Sequence, residues 1–196
     1  MARWKKEKIR IVLLLAISFL GFGAFSQKPR YIQPGLLSAS ATLSPAIMLN
    51  RNETNYYVSG FFEGKMTKHL SFRGDAYYML GNASTKFLKN NIRTYIGLQY
   101  GYSFGNFELH TGFAPGFAFM QSNVNPSITE FVPSLQVNLG MRFYVWKYFH
   151  FFANFNYIHA EMQNLEKVNG MADEFVISVG LGFNLQTLKK YRNIEE

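Results

Sequence analysis

Phe175-Val-Ile-Ser-Val-Gly-Leu-Gly-Phe-Asn-Leu185 is the stretch on which the fold turns. Phe175, Ile177, Val179, Leu181, Phe183 and Leu185 fall on one parity, and Ser178, Gly180, Gly182 and Asn184 on the other. Successive side chains of a strand point to opposite faces, so this segment is a ribbon with one apolar and one polar side. Upstream, the pattern repeats over residues 149–157, where Phe149, Phe151, Phe155 and Tyr157 oppose His150, Asn154 and Asn156. Over 131–145, Phe131, Leu135, Val137, Leu139, Met141, Phe143 and Val145 oppose Ser134, Gln136, Asn138, Gly140 and Arg142. Residues 107–119 and 92–104 alternate in the same way, as do 70–80, 56–64 and the Ser/Thr-interrupted run 37–49. Eight strands are expected.

Every strand carries one apolar, unusually aromatic face and one face of Ser, Asn, Gln, Gly and charge. In a soluble sandwich the apolar face would be the core. In a transmembrane barrel it faces lipid and the polar face fills the interior. The strands are about ten residues or longer, as a tilted membrane strand requires. The polar faces are rich in Gly and other small residues, which suits a crowded lumen. A closed barrel is also the only sheet that satisfies all its backbone groups in lipid. Composition agrees: 16% of the 196 residues are charged, against roughly 25% in soluble domains, while 17% are aromatic and none is Cys.

The first 26 residues stand apart. Arg3, Lys5, Lys6, Lys8 and Arg10 precede an apolar run from Ile11 to Phe22, and Ala24-Phe25-Ser26 then offers a small-residue cleavage site before Gln27. This is the three-part pattern of a secretory signal, cut between Ser26 and Gln27; the competing reading is an uncleaved anchor at the short limit of a spanning helix. Cleavage removes five basic and one acidic residue, taking net charge from +8 to +4. No clustered basic patch of the kind nucleic acid needs is left.

Connections at 50–55, 81–91, 121–130 and 160–173 read as long, and those at 66–68, 105–106 and 146–148 as tight. Gly105-Asn106 is a two-residue hairpin signal that pairs Phe104 with Phe107 outward and Ser103 with Glu108 inward. A three-residue turn at 146–148 would pair Val145 with Phe149 and Tyr144 with His150. Long connections outside and short turns in the periplasm are the habit of outer-membrane barrels. Both termini are then periplasmic, with Trp146, Tyr148 and Phe104 at the inner aromatic girdle and Tyr56, Tyr78 and Tyr157 at the outer one.

From Leu36 to Leu185 the sequence resembles the small eight-stranded outer-membrane barrels of the OmpA/OmpX-like family of Gram-negative bacteria. The last strand is similar to the signal read by the barrel-assembly machinery, although the chain runs on for 11 residues, Gln186 to Glu196. The resemblance implies an all-β, eight-stranded antiparallel up-and-down transmembrane β-barrel. Around it would be outer-membrane lipid and lipopolysaccharide, with the assembly machinery as partner during biogenesis and possible protein partners at the outer loops or membrane face. The expected layout is signal peptide 1–26, periplasmic segment 27–35, barrel 36–185 and periplasmic tail 186–196.

The charged residues expected inside are Glu63, Lys65, Arg73, Asp75, Glu108 and Arg142, with Arg93 nearer the outer end. Three acids and three bases in a closed lumen should neutralise one another, because a buried charge is costly unless paired. On the second hairpin, Glu63 is expected opposite Ser71 and diagonal to Arg73. Two readings of this network stand: a structural plug, or a gate whose ion pairs exchange. Catalysis finds little support. His69 sits near a turn, His110 and His150 join the polar interior, and His159 has no Ser at motif spacing. Gly180-Leu-Gly182 lies within a strand, where it cannot cradle phosphate. No cofactor or metal is expected. The leading function is structural or surface-interacting, with a narrow pore as alternative and a lipid-modifying enzyme third.

Overall fold

The computed structural model describes residues 31–51, 53–82, 87–123, 129–163 and 170–192. The signal peptide and its cleavage at Ser26–Gln27 lie outside the described residues. The strands are β1 (Leu36–Met48), β2 (Glu53–Lys65), β3 (Leu70–Asn82), β4 (Leu88–Phe104), β5 (Phe107–Ser122), β6 (Thr129–Trp146), β7 (Phe149–Ala160) and β8 (Glu174–Gln186). A four-residue helix, α1 (Lys189–Arg192), follows. Each strand pairs antiparallel with the next, and β1 pairs with β8 to close an eight-stranded meander barrel.

The shortest strand, β7, has 12 residues. At about 3.3 Å per residue and a tilt of about 45° it rises roughly 28 Å, enough to cross a hydrocarbon core of about 30 Å. Burial alternates along every strand. Phe62, Phe72, Ile96, Phe113, Leu139, Phe151 and Leu185 are exposed, whereas Glu63, Arg73, Gln99, Asn138 and Asn184 are buried. The greasy side is outside, the inverse of a water-soluble sandwich.

Gly105 takes a φ of +60°, the left-handed conformation a two-residue hairpin needs, and the pairs Phe104–Phe107 and Ser103–Glu108 form around it. The other turns depart from the sequence reading. At the β2–β3 turn Thr67 Oγ1 accepts from His69 N at 3.1 Å and Leu70 N at 2.8 Å, which lengthens the turn. The register therefore slides by two residues: Glu63 faces Arg73, and Ser71 faces Lys65. At the β6–β7 turn the two residues Lys147 and Tyr148 bring Trp146 opposite Phe149, and a bulge absorbs Val145 so that Tyr144 still meets His150. Several strands also run further towards the long connections than the alternation indicated. The first of those connections, residues 49–52, is consequently as short as the 66–69 turn.

The turn end of the barrel is closed by the chain's own N-terminal segment. Ile32 is fully buried there with Leu36 and Tyr144, and Tyr31 packs alongside. Gly35 holds this segment in place: its N donates to Lys65 O at 2.8 Å, and its O accepts from Thr187 N at 3.1 Å and Thr187 Oγ1 at 2.7 Å. Its φ is +80°, and a Cβ there would meet Leu188 Cγ at 2.5 Å, so both backbone and space call for glycine.

Candidate functional site: the barrel interior

The lumen has a charged lower level and an apolar upper level. In the lower level the β2–β3 hairpin faces the β5–β6 hairpin across the barrel. Arg142 on β6 lays its fork on the Glu63 carboxylate of β2: Nη1 donates to Oε1 at 2.9 Å and Nη2 bonds Oε2. Glu108, the cross-strand partner of Arg142, lies 3.6 Å from Arg142 Nη1 through Oε2. It also pairs with Lys65 and accepts from Tyr144 OH at 2.9 Å. Arg73 clasps Asp75, two residues along the same strand, through Nε at 2.9 Å and Nη2 at 2.7 Å. Its Nη1 stands 4.0 Å from Glu63. Gln99 fills the gap, with its amide nitrogen turned to Glu63 Oε2 at 2.7 Å and its oxygen to Arg73 Nη1 at 3.2 Å. Phe61 slides beneath both guanidiniums, its ring centre 4.0 Å from Arg73 Cζ and 5.1 Å from Arg142 Cζ.

The structure thus brings together all six residues singled out from sequence, Glu63, Lys65, Arg73, Asp75, Glu108 and Arg142, and buries each of them. Forked Arg–carboxylate geometry and a zero net charge are the conditions under which ions can be held out of water. The inner-face glycines make room for these side chains. A Cβ on Gly101 would stand 2.3 Å from Glu108 Oε1, one on Gly112 2.6 Å from Gln99 Cγ, and one on Gly140 2.4 Å from His110 Nε2. Glycine on the polar parity marks where a large neighbour crosses the lumen.

The upper level is a finding the alternation did not reveal. There the inward positions turn apolar: Met48, Tyr57, Tyr77, Met79, Met120, Val132, Ile158 and Val176 are buried together, with Phe87 and Met162 closing over them. The sequence reading fills the lumen with polar and charged side chains; the structure adds this apolar level to them. Period two reports which side a residue faces, not what fills that side. Embedded in this level is a second ion pair. Arg93 Nη1 lies 2.9 Å from Glu174 Oε2, and the same oxygen accepts from Tyr57 OH at 2.8 Å. Asn55 also bonds Glu174, and Asn91 Nδ2 donates to Tyr57 OH at 2.9 Å. The sequence places Arg93 inside but not Glu174, because the visible alternation of β8 begins only at Phe175. Extending its polar parity back from Ser178 lands on Glu174.

Two spaces flank the Arg73–Asp75 pair, one reached from Ser40, Thr42 and Asn154, the other from Gly97, Gln99 and Asn138. Each has room for a single water molecule.

The histidines divide as expected by face. His110 and His150 are buried, the first 3.0 Å from Asn154 Oδ1 and the second 2.8 Å from Asn184 Oδ1. His69 is exposed at the turn end and stacks on Tyr100 with centroids 5.8 Å apart. His159 faces outward, its Nδ1 2.7 Å from Asp173 Oδ1. Ser134 Oγ, the hydroxyl beside it, donates to the His159 backbone carbonyl at 2.7 Å and not to the ring. Among the described residues no group of three His, Cys, Asp or Glu side chains is placed to hold a metal.

No protein-family model and no curated sequence matches this chain. Solved structures do match in fold. The outer-membrane protein OprG of Pseudomonas aeruginosa superposes with a TM-score of 0.61 at 11% identity, over 81% of this chain and 100% of that one. This is the fold of the small eight-stranded outer-membrane barrels. Neisserial surface protein A is similar at a TM-score of 0.53 and 14% identity, covering 77% of this chain and 96% of its own. The N-terminal barrel of OprF from Pseudomonas aeruginosa is similar at 0.52 and 13%, over 78% and 98%.

Proposed function

We propose that this chain is an integral outer-membrane barrel without enzymatic activity, closed to solutes, acting as a structural or surface-interacting element through its outer loops. The observation that carries the reading is the pairing of an apolar exterior with an interior in which, among the described residues, ion pairs and large side chains are buried at every level. Such an exterior needs lipid, and such an interior leaves nothing for transport to use. In this reading residues 1–26 are a signal peptide removed between Ser26 and Gln27, and segments 27–35 and 186–196 are periplasmic. Lipopolysaccharide meets the loop end, and the barrel-assembly machinery inserts the chain. Extraction from native membranes should require detergent, and the folded form should migrate faster on a gel until boiled. A chain that dissolved without detergent would sink the reading. A pull-down after mild extraction tests for a loop partner.

The second reading, a narrow pore gated by exchange among Glu63, Lys65, Arg73, Asp75, Glu108 and Arg142, is favoured by the water-sized spaces beside Arg73 and Asp75. It requires steady conductance from the unsubstituted protein in planar bilayers, which the first reading denies. Lipid modification is disfavoured by the Ser134–His159 geometry. His159→Ala should leave lipid A unaltered when the chain is expressed in cells.

A further inference from the structure

One contact in the lower level brings a nucleophile against a carboxyl group. Lys65 is buried, and its Nζ touches Glu108 Oε1. The other cations of this level, Arg73 and Arg142, end in delocalised guanidiniums that stay protonated, whereas Lys65 ends in an amine. β2 and β5 are not neighbours in the sheet, so the contact crosses the lumen.

The groups around it suit acyl transfer. Tyr144 OH donates to Glu108 Oε2 at 2.9 Å, and Arg142 Nη1 lies 3.6 Å from the same oxygen. Both stand where negative charge gathers when an amine adds to this carboxyl. Glu63 Oε1 lies 3.8 Å from Lys65 Nζ, a short movement from relaying a proton. Glycine at 101 lets the carboxyl lie against the barrel wall, since a Cβ there would stand 3.1 Å from Glu108 Cδ. Lys65, Glu108, Glu63 and Tyr144 are all buried, away from bulk water that would favour hydrolysis.

We propose that Lys65 and Glu108 condense in the folded barrel to an intramolecular amide that ties β2 to β5 across the lumen. Lys65 passes one ammonium proton to Oε1, leaving an amine beside a neutral carboxyl. The nitrogen lone pair closes on Cδ, and the charge drawn to Oε2 is held by Tyr144 and Arg142. A second proton leaves the nitrogen through Glu63 for Oε1. The Cδ–Oε1 bond then breaks, and Oε1 departs as water. One cation and one anion vanish together, so Arg73 and Arg142 still balance Glu63 and Asp75. A linked pair cannot exchange partners, which makes the lower level a plug. The bond depends on the fold alone and not on the membrane reading above.

Trypsin cuts the unlinked chain after Lys65 and releases 94–142 as a separate peptide. Amidation blocks that cut, so the linked chain yields 52–68 joined to 94–142, at the sum of their masses less one water. The full chain is held in urea, then folded into phosphatidylcholine vesicles, and samples are digested over time for mass spectrometry. The joined peptide should be absent in urea and accumulate after the heat-dependent gel shift develops. Protein taken from native membranes should already contain it. Tyr144→Phe keeps the ring and should slow its appearance by at least about ten-fold. Lys65→Arg keeps the charge and should abolish it. Folded protein from both sources that yields only free 94–142 overturns the proposal, as does a joined peptide in urea or in Lys65→Arg. An unchanged rate in Tyr144→Phe overturns the part given to Tyr144.

Discussion

Arg142 answers two carboxylates at once, Glu63 through its fork and Glu108 at 3.6 Å. Replacing it with Met leaves the lower level with a net negative charge and nowhere to solvate it. The expected cost is about 3–5 kcal/mol, the range for breaking one partner out of a buried pair. The double variant Glu63→Leu/Arg142→Met restores neutrality, since Lys65, Arg73, Asp75 and Glu108 still balance, and should be more stable than Arg142→Met alone. Urea unfolding in lipid vesicles measures both, and a double variant that is no better than the single one would show that charge balance is not what holds this level. Gly116 and Gly81 make a second matched test. A Cβ on Gly116 would stand 2.1 Å from Thr94 O and 2.4 Å from Tyr95 Cδ1, whereas one on Gly81 meets nothing within 4 Å. Gly116→Ala should cost about 1–3 kcal/mol through overpacking, and Gly81→Ala close to nothing.

At the scale of the strands, the β1–β8 seam is the weak joint. Its ladder pairs Leu36–Ser40 with Gly182–Gln186 and Ala46–Met48 with Glu174–Val176, with no paired residues between. Pro45 lies in the gap and has no N–H to offer. Side chains bridge it instead: Thr42 Oγ1 donates to Val179 O at 2.7 Å, and the Ser44 and Ser178 hydroxyls meet at 2.7 Å. Amides at 41–44 and 177–181 should therefore exchange with deuterium ahead of those in the fully paired β5–β6 ladder. Thr42→Val, which keeps the shape and removes the donor, should cost about 1 kcal/mol and speed that exchange further. Uniform protection along β1 would contradict this account. The seam also marks the limit of what the sequence made legible. Parity alone assigned inner and outer faces from Ser38 to Asn184, and Gly105-Asn106 identified one hairpin, because both are local signals. Register is not local. At the β2–β3 turn it is set by the Thr67 hydroxyl, where no Gly or Pro announces the turn, and at Val145 by a bulge, so the pairing of Glu63 with Arg73 came only from the structure. The apolar upper level was hidden for a similar reason. Met48, Met79 and Met120 sit on the polar parity of their strands, and what gathers them is closure of the barrel.

For the whole molecule, closure comes as three layers in series along one axis: Ile32 with Leu36 and Tyr144 at the turn end, the ion network above it, and the apolar level beneath the loops. Barriers in series do not average; the highest sets the flux. The upper layer, apolar side chains packed around the Arg93–Glu174 pair, is a barrier of its own whatever the charges below it do. Glu63→Ser/Arg142→Ser should therefore stay silent in planar bilayers even though it empties the centre of the network without unbalancing it. Met120→Ser/Ile158→Ser should stay silent too, because the ion pairs still block the path, and Ile32→Ser because both upper layers remain. Only the combination of all five substitutions is expected to give steady single-channel current, provided it keeps the heat-dependent gel shift of a folded barrel. Current from the Glu63/Arg142 pair alone would mean that the apolar level is no barrier and that the ion pairs are the gate. In that case closure would rest on the ion pairs alone, and steady conductance from the unsubstituted protein would decide whether they exchange to open a pore.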